Sequence, residues 1–333
     1  MVSLRSLAAS AALCLALLPL SPAQGFAEPH VVASIKPVHA LVAAVMEGVA
    51  TPDLIVGGAA SPHAYALKPS QAQALEDADL IFWVGHELES FLEKPIETIG
   101  ANARSVELID ARGLVKLPFR EAGPFEAHGH DDHDDHAADE EDHADDDHDE
   151  MASEEHDHGK DGFDAHLWLD PVNAKVFVQV IGEALTEADP GNAASYAANV
   201  SSTNQRLDSL INEVNAILAP VHGKQFIVFH DAYQYFEKRF DMQAAGSVTV
   251  NPEVRASAER VAKIRDKVRD LNAVCAFSEP QFDGQLIDVV IEGTEAHSAV
   301  LDPLGATIDD GPELYFDMIR NLATSMHDCL QGS

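Results

Sequence analysis

The chain has 333 residues, 56 of them acidic and 21 basic, for a formal charge of −35 at pH 7. A balance this negative excludes nucleic acid and anionic lipid as partners, because both are polyanions that repel an acidic surface. Once two unusual segments at 1–27 and 126–161 are set aside, roughly 270 residues of ordinary composition remain, enough for two domains of common size or one large α/β unit.

Arg5, an apolar run over 7–20 and small residues around Ala23 and Ala27 follow the order of a secretory signal. A signal peptide is expected over 1–27, cleaved at about 23–27. Its apolar run is too short to span a bilayer, and no other stretch reaches about eighteen uninterrupted apolar residues, so no direct membrane insertion is expected. Cys14 lies within the signal, and the bulky Leu13 before it argues against a lipoprotein anchor.

The folded part alternates short β-rich runs with helical stretches, a pattern that predicts parallel sheets built from βα units. In the first set, HVVASI precedes a helix over 38–47, and DLIVGG precedes the segment SPHAYALKPS. Ser70 with Gln73 reads as a capping box for a short helix, followed by the apolar run 80–84 and the strand SVELI. These make a four-stranded lobe expected over 28–188.

Within that lobe, residues 126–161 carry eight His, eighteen carboxylates and one Lys. Self-repulsion and low apolarity predict that no packed core forms there. A solvated spacer would need charge but not imidazole, so His128, His130, His133, His136, His143, His148, His156 and His158 read as an auxiliary metal-collecting loop.

After the tract, DAHLWLDP leads into two helices opened by Asp-Pro pairs at Asp170 and Asp189. The second keeps helical spacing through Tyr196, Val200, Leu207, Leu210, Ile211, Val214, Ile217 and Leu218. It predicts a rigid rod of about 40 Å, over 189–220, linking two lobes. The second lobe, 221–333, repeats the first: QFIVFH with a helix over 231–240, AAGSVTV with one over 258–271, AVCAFSE with one over 286–291, then SAVLDPLG with one over 312–330. Cys275 and Cys329 remain as an even pair in an oxidising compartment, where a disulfide is expected. Closing that loop would contribute roughly 4 kcal/mol on the chain-entropy view. The alternative is two unrelated buried thiols.

Two parallel sheets of similar size predict a cleft with ligands beyond the carboxyl ends of their strands. His63 follows the second strand, His166 sits in DAHLWLDP, His230 closes FIVFH and Asp302 closes AVLD. Glu279, also at a strand end, is expected to hydrogen-bond a ligand imidazole. His39, His86, His222, His297 and His327 read as solvated or capping residues. Trp83 and Trp168 read as packing residues, with Trp168 placed to wall the cleft.

SPHAYALKPS, HLWLDP, VFHDAYQYFEKRF, TVNPE, FSEPQF and LDPLG, in this order, resemble the zinc-binding receptors of bacterial ABC importers, the ZnuA-like periplasmic proteins. The likeness covers essentially the whole mature chain and includes the His-rich insertion and the cysteine pair. It implies two α/β lobes, each with a four-stranded, mainly parallel sheet, joined by a long rigid helix. It further implies Zn(II) held in the cleft by His63, His166 and His230, and a monomer that hands the ion to a membrane permease with its ATPase. The family's fourth ligand varies. Pro62 stands where some relatives have a carboxylate, which makes Asp302 the first choice and water the second. Three imidazoles suit tetrahedral zinc, whereas manganese favours oxygen, although copper or nickel would also bind such a set. The resemblance implies a receptor and no catalysis. A secreted zinc hydrolase with water in the fourth position is the alternative, as is a periplasmic zinc-storage protein or chaperone. Against the hydrolase, the sequence has no H-E-x-x-H helix and no evident general base beyond Glu279.

Overall fold

The computed structural model describes residues 28–120, 162–249 and 256–332. The expected signal peptide, the His-rich loop and most of the TVNPE segment lie outside them.

The first half contains β1 (Val31–Ile35), α1 (Lys36–Val45), β2 (Asp53–Val56), α2 (Pro69–Glu76), β3 (Leu80–Trp83), α3 (His86–Thr98) and β4 (Arg104–Glu107). α4 (Pro171–Ala188) and α5 (Ala193–Leu218) follow. The second half contains β5 (Phe226–His230), α6 (Gln234–Arg239), β6 (Gly246–Thr249), α7 (Ala258–Asp270), β7 (Cys275–Ser278), α8 (Gln285–Ile291), β8 (His297–Val300) and α9 (Leu314–Gln331). Both sheets are fully parallel, ordered β2-β1-β3-β4 and β6-β5-β7-β8. The first strand of each half therefore lies inside its sheet, with the chain leaving to opposite sides of it. A crevice opens at the carboxyl end of such a strand. Every residue of β1, β3 and β5 is buried, as strands covered on both faces by helices require.

Local chemistry sets several boundaries away from the expected ones. α1 begins two residues early, because Pro37 suits the first helical turn, where its missing N–H costs nothing. α2 is opened by Lys68 and Pro69, and Gln71, not Gln73, turns back so that its Oε1 accepts from the Lys68 N–H at 2.8 Å. Ser70 lies inside the first turn, and the expected Ser70–Gln73 box does not form. Asp170 does cap α4, accepting from the Val172 N–H at 2.8 Å. Asp189 instead accepts from the Asn192 amide and the Tyr196 hydroxyl, and a short 3-10 turn over Pro190–Asn192 precedes α5. His39 is buried on α1, with its Nε2 3.0 Å from the Pro52 carbonyl, so it is not solvated. β8 begins at His297, which is therefore a strand residue.

α5 buries Tyr196, Val200, Thr203, Leu207, Leu210, Val214 and Leu218, one stripe at spacings of three and four. The stripe lies against α4 and α9, so the 26-residue rod, about 39 Å at 1.5 Å per residue, ties the two halves together. One continuous hydrophobic core runs from Val31 to Leu330 through both sheets, and a smaller one sits between β5–β7 and α7–α8. Each large aliphatic side chain in them contributes about 1.5–3 kcal/mol relative to exposure. A disulfide joins Cys275 at the start of β7 to Cys329 on α9. Among the described residues no helix is long and apolar enough to cross a membrane.

Gly182 marks the closest approach of α4 and α5: a Cβ there would lie 2.4 Å from Val200 Cγ2. Gly182→Ala is expected to destabilise the protein by about 1–3 kcal/mol despite alanine's better helix propensity, because the stiff valine cannot yield without moving the helix. Urea unfolding with an unchanged m-value checks this.

Candidate metal centre

The strand topology delivers three imidazoles to one point. His230 is the last residue of β5, the inner strand of the second sheet. His63 lies in the loop from β2 to α2, and His166 opens the 3-10 turn Leu167–Leu169 in the segment that crosses between the sheets. Ring centroids are 5.3 Å apart for His63 and His166, 5.8 Å for His63 and His230, and 5.2 Å for His166 and His230. One nitrogen from each ring lies within 4.8 Å of the other two.

Carboxylates fix the protonation of two rings. His230 Nδ1 is 2.7 Å from Glu279 Oε1, and His166 Nδ1 is 2.6 Å from Asp164 Oδ1. A carboxylate only accepts, so each Nδ1 must donate, which in neutral imidazole leaves a lone pair on Nε2. Those two Nε2 atoms face each other at 3.3 Å. Two lone pairs so placed repel unless a proton or cation lies between them. A tetrahedral zinc site with Zn–N of 2.0–2.1 Å has an N···N edge of about 3.3 Å, so the spacing fits that ion.

Electrostatics divides the three rings. Burial, then the neighbouring His166 and His230, push the His63 pKa well below the usual imidazole value. At His230 burial also works downward but is outweighed by the Glu279 charge and hydrogen bond, with Asp164 and Asp231 adding to it, and the pKa is raised. Trp168, Phe282, Pro303 and Leu304 wall the space between the rings, which has room for about one water-sized sphere, ≈ 10 Å³.

Asp302 stands apart from this cluster. It lies two residues beyond β8, and its Oδ1 accepts from the Leu304 and Gly305 N–H groups at 3.2 and 3.0 Å, its Oδ2 from the Ala306 N–H at 2.6 Å. Gly305 at φ 69° gives the turn that brings these donors together. The carboxylate caps its own loop, and among the described residues the donor atoms that gather within 4.8 Å of one another are those of His63, His166 and His230. Glu279 bonds the imidazole of His230, a candidate ligand. Asp164 was not anticipated, although a carboxylate two residues before a candidate ligand is a readable signal.

Several polar ties join the two halves. The Trp168 indole donates to the Pro303 carbonyl at 2.8 Å, Tyr235 hydroxyl to the Asp164 carbonyl at 2.7 Å, and Arg239 holds both oxygens of Asp170 at 2.7 Å. Lys36, the first residue of α1, reaches the Ile308 carbonyl and Asp310 across the cleft, at 2.7 and 3.1 Å.

The sequence profile of the family described as "Zinc-uptake complex component A periplasmic" matches residues 31–329. The "High-affinity zinc uptake system protein ZnuA" of Brucella abortus (strain 2308) is 54% identical over 304 residues, covering 90% of this chain and 91% of that protein. The protein of the same description from Paracoccus denitrificans (strain Pd 1222) is 40% identical over 303 residues, covering 91% and 92%. Among solved structures, one described as the crystal structure of ZnuA superposes with a TM-score of 0.71 at 22% identity, covering 91% of this chain and 99% of that one.

Proposed function

The chain belongs to the ZnuA family of periplasmic zinc-uptake components, and from that premise we propose that it binds Zn(II) between its two sheets through His63, His166 and His230. It is a zinc receptor for import. The ion is cargo, passed in the periplasm to a membrane permease driven by an ATPase. The observation that carries the ligand assignment is the pair of Nε2 lone pairs at 3.3 Å, each oriented by a carboxylate behind its ring. Three nitrogen donors favour zinc over manganese or magnesium. Asp302 is left out of the ligand set because the backbone of its own loop holds it.

The chain's residues act in sequence on the ion. Glu279 and Asp164 keep the Nδ1 protons in place, so both Nε2 atoms meet the cation as bases. The largely apolar walls strip most of its water and strengthen each contact. Glu279 is buried and committed to His230, which leaves it unsuited to activate a nucleophile. Zinc-limited growth tests the role. Loss of the gene is expected to abolish growth unless zinc is added, and extra copies are expected not to rescue a strain lacking the permease. Rescue without a permease would indicate storage.

Protons compete with the metal, and His230 sets where. Because its pKa is raised, it holds a proton on Nε2 at higher pH than an ordinary histidine. Zinc affinity is therefore expected to fall as pH drops, starting above the usual imidazole range and losing about tenfold per unit while one ring titrates. Competition with a chelator of known pH dependence measures it; a flat profile from pH 8 to 6 would contradict it.

The His-rich tract is expected to collect ions at weak sites and raise their local concentration. Deletion of residues 126–161 is expected to leave one tight site in calorimetry, with the weak binding lost.

A further inference from the structure

Gln281 lies in the turn after β7, in the segment Glu279–Pro280–Gln281–Phe282. Its Nε2 donates to Asp302 Oδ1 at 3.1 Å. Chemistry alone settles the orientation of that amide: a carboxylate offers no hydrogen, so the nitrogen must face Asp302 and the oxygen must point away. The same carboxylate accepts from three backbone N–H groups, so it is a fixed anchor. Gln281 thus has its amide nitrogen pinned and its carbonyl oxygen aimed by that pin.

The oxygen is buried and meets no donor among the described residues. A buried acceptor left unpaired costs about 1–3 kcal/mol, a penalty that a ligand's hydrogen can remove. Gln281 lines the same small space as His63, His166 and His230, whereas Asp302 does not. Three imidazoles supply three donors, and tetrahedral zinc needs a fourth.

We infer that Gln281 serves the fourth coordination position, its Oε1 accepting a hydrogen bond from the water that completes the zinc shell. This rests on the three-histidine reading above and adds one residue to it. Asp302 then acts at one remove: it orients Gln281, which orients the water. A neutral amide polarises that water less than a carboxylate would, so the fourth ligand stays exchangeable. That is suited to a protein that must release its cargo.

The test compares Gln281→Met, which keeps length but removes the amide, with Gln281→Glu, which keeps an oxygen acceptor. Zinc affinity is read by chelator competition, and the coordination shell by the visible spectrum of the cobalt-substituted protein. Gln281→Met is expected to weaken zinc binding about 10- to 100-fold, the usual cost of losing a group that orients a metal site's ligands. It is also expected to alter the cobalt bands, which a merely structural role would leave unchanged. Gln281→Glu keeps an acceptor but has no N–H for Asp302 to hold, so it is expected to bind more tightly than Gln281→Met and to restore the cobalt bands only in part. Wild-type affinity and an unaltered cobalt spectrum in Gln281→Met would overturn the inference while leaving the three-histidine site standing. Failure of the unaltered protein to bind zinc at the three histidines would remove the reading beneath it. Should Gln281→Met not fold, the zinc-loaded crystal structure of the unaltered protein decides: Oε1 within hydrogen-bonding distance of a metal-bound oxygen supports the role, and Oε1 turned elsewhere overturns it.

Discussion

His63→Ala is expected to weaken zinc binding by about 100- to 1,000-fold while barely changing the melting temperature of the metal-free protein. The size follows from sharing an apparent binding free energy of roughly 10–16 kcal/mol among three or four ligands, about 3–4 kcal/mol each. The selectivity for affinity over stability follows from the ring's surroundings. His63 is only partly buried, and among the described residues its ring nitrogens meet no carboxylate. Burial and its two neighbours already hold it neutral. Its removal strands no partner and relieves crowding among three basic rings. His230→Ala is expected to lose as much affinity but also to leave Glu279 buried without its imidazole, a stranded charge that destabilises the fold. Chelator competition and thermal melting on both variants separate the two effects.

The second large effect is expected where no ligand is touched. Asp164→Asn puts an amide behind His166 that can present either its oxygen or its N–H to Nδ1. With the N–H forward, the ring shifts its own proton to Nε2, and the lone pair needed by the metal is gone. Glu279→Gln does the same to His230. Each change is expected to cost about 10- to 100-fold in zinc affinity. Each carboxylate also accepts from the backbone N–H of its own histidine, Asp164 from His166 at 2.9 Å and Glu279 from His230 at 3.4 Å, so Asp164→Asn is expected to loosen the segment that carries its ring more than Glu279→Gln does. Asp302→Asn makes a useful contrast. Its effect is expected to be smaller, because it reaches the site only through its loop and through Gln281.

Much of this architecture is written in local pattern. Mostly apolar runs at β1, β3 and β5, broken only by Ser34 and the terminal His230, are what parallel strands covered on both faces require, and their alternation with helices predicted two sheets of one topology. The rod α5 was visible from its stripe of apolar residues, although Thr203 sits in the stripe as a buried polar residue that hydrophobic periodicity passes over. Capping was less legible. Asp170 and Asp189 precede the same residue type, yet only the first turns its carboxylate onto a backbone N–H; the second meets Tyr196 from a later turn.

The site divides in the same way. His63, His166 and His230 could be singled out because each stands at a strand end or before a capped helix, and family resemblance supplied their convergence. Asp302 has the same sequence credentials. What separates it is the left-handed turn at Gly305, which folds three backbone N–H groups onto its carboxylate, a tertiary detail that strand-end position does not encode. Asp164 and Gln281 escaped notice for a related reason. Their roles depend on which atom of a neighbour they face, His166 Nδ1 in one case and Asp302 Oδ1 in the other. His39, in the apolar run of α1, had a readable sign of burial in its uniformly hydrophobic neighbours.

The central claim is that three imidazoles, two of them aimed by carboxylates, hold one zinc ion between two parallel sheets. Anomalous diffraction from crystals of the zinc-loaded protein, recorded on both sides of the zinc absorption edge, tests it most directly. The expected result is a single strong peak in the cleft, bonded to one nitrogen each of His63, His166 and His230, with Nε2 the bonded atom of the last two. A zinc peak bonded to Asp302 in place of any of these rings, or no peak between the sheets, would contradict it.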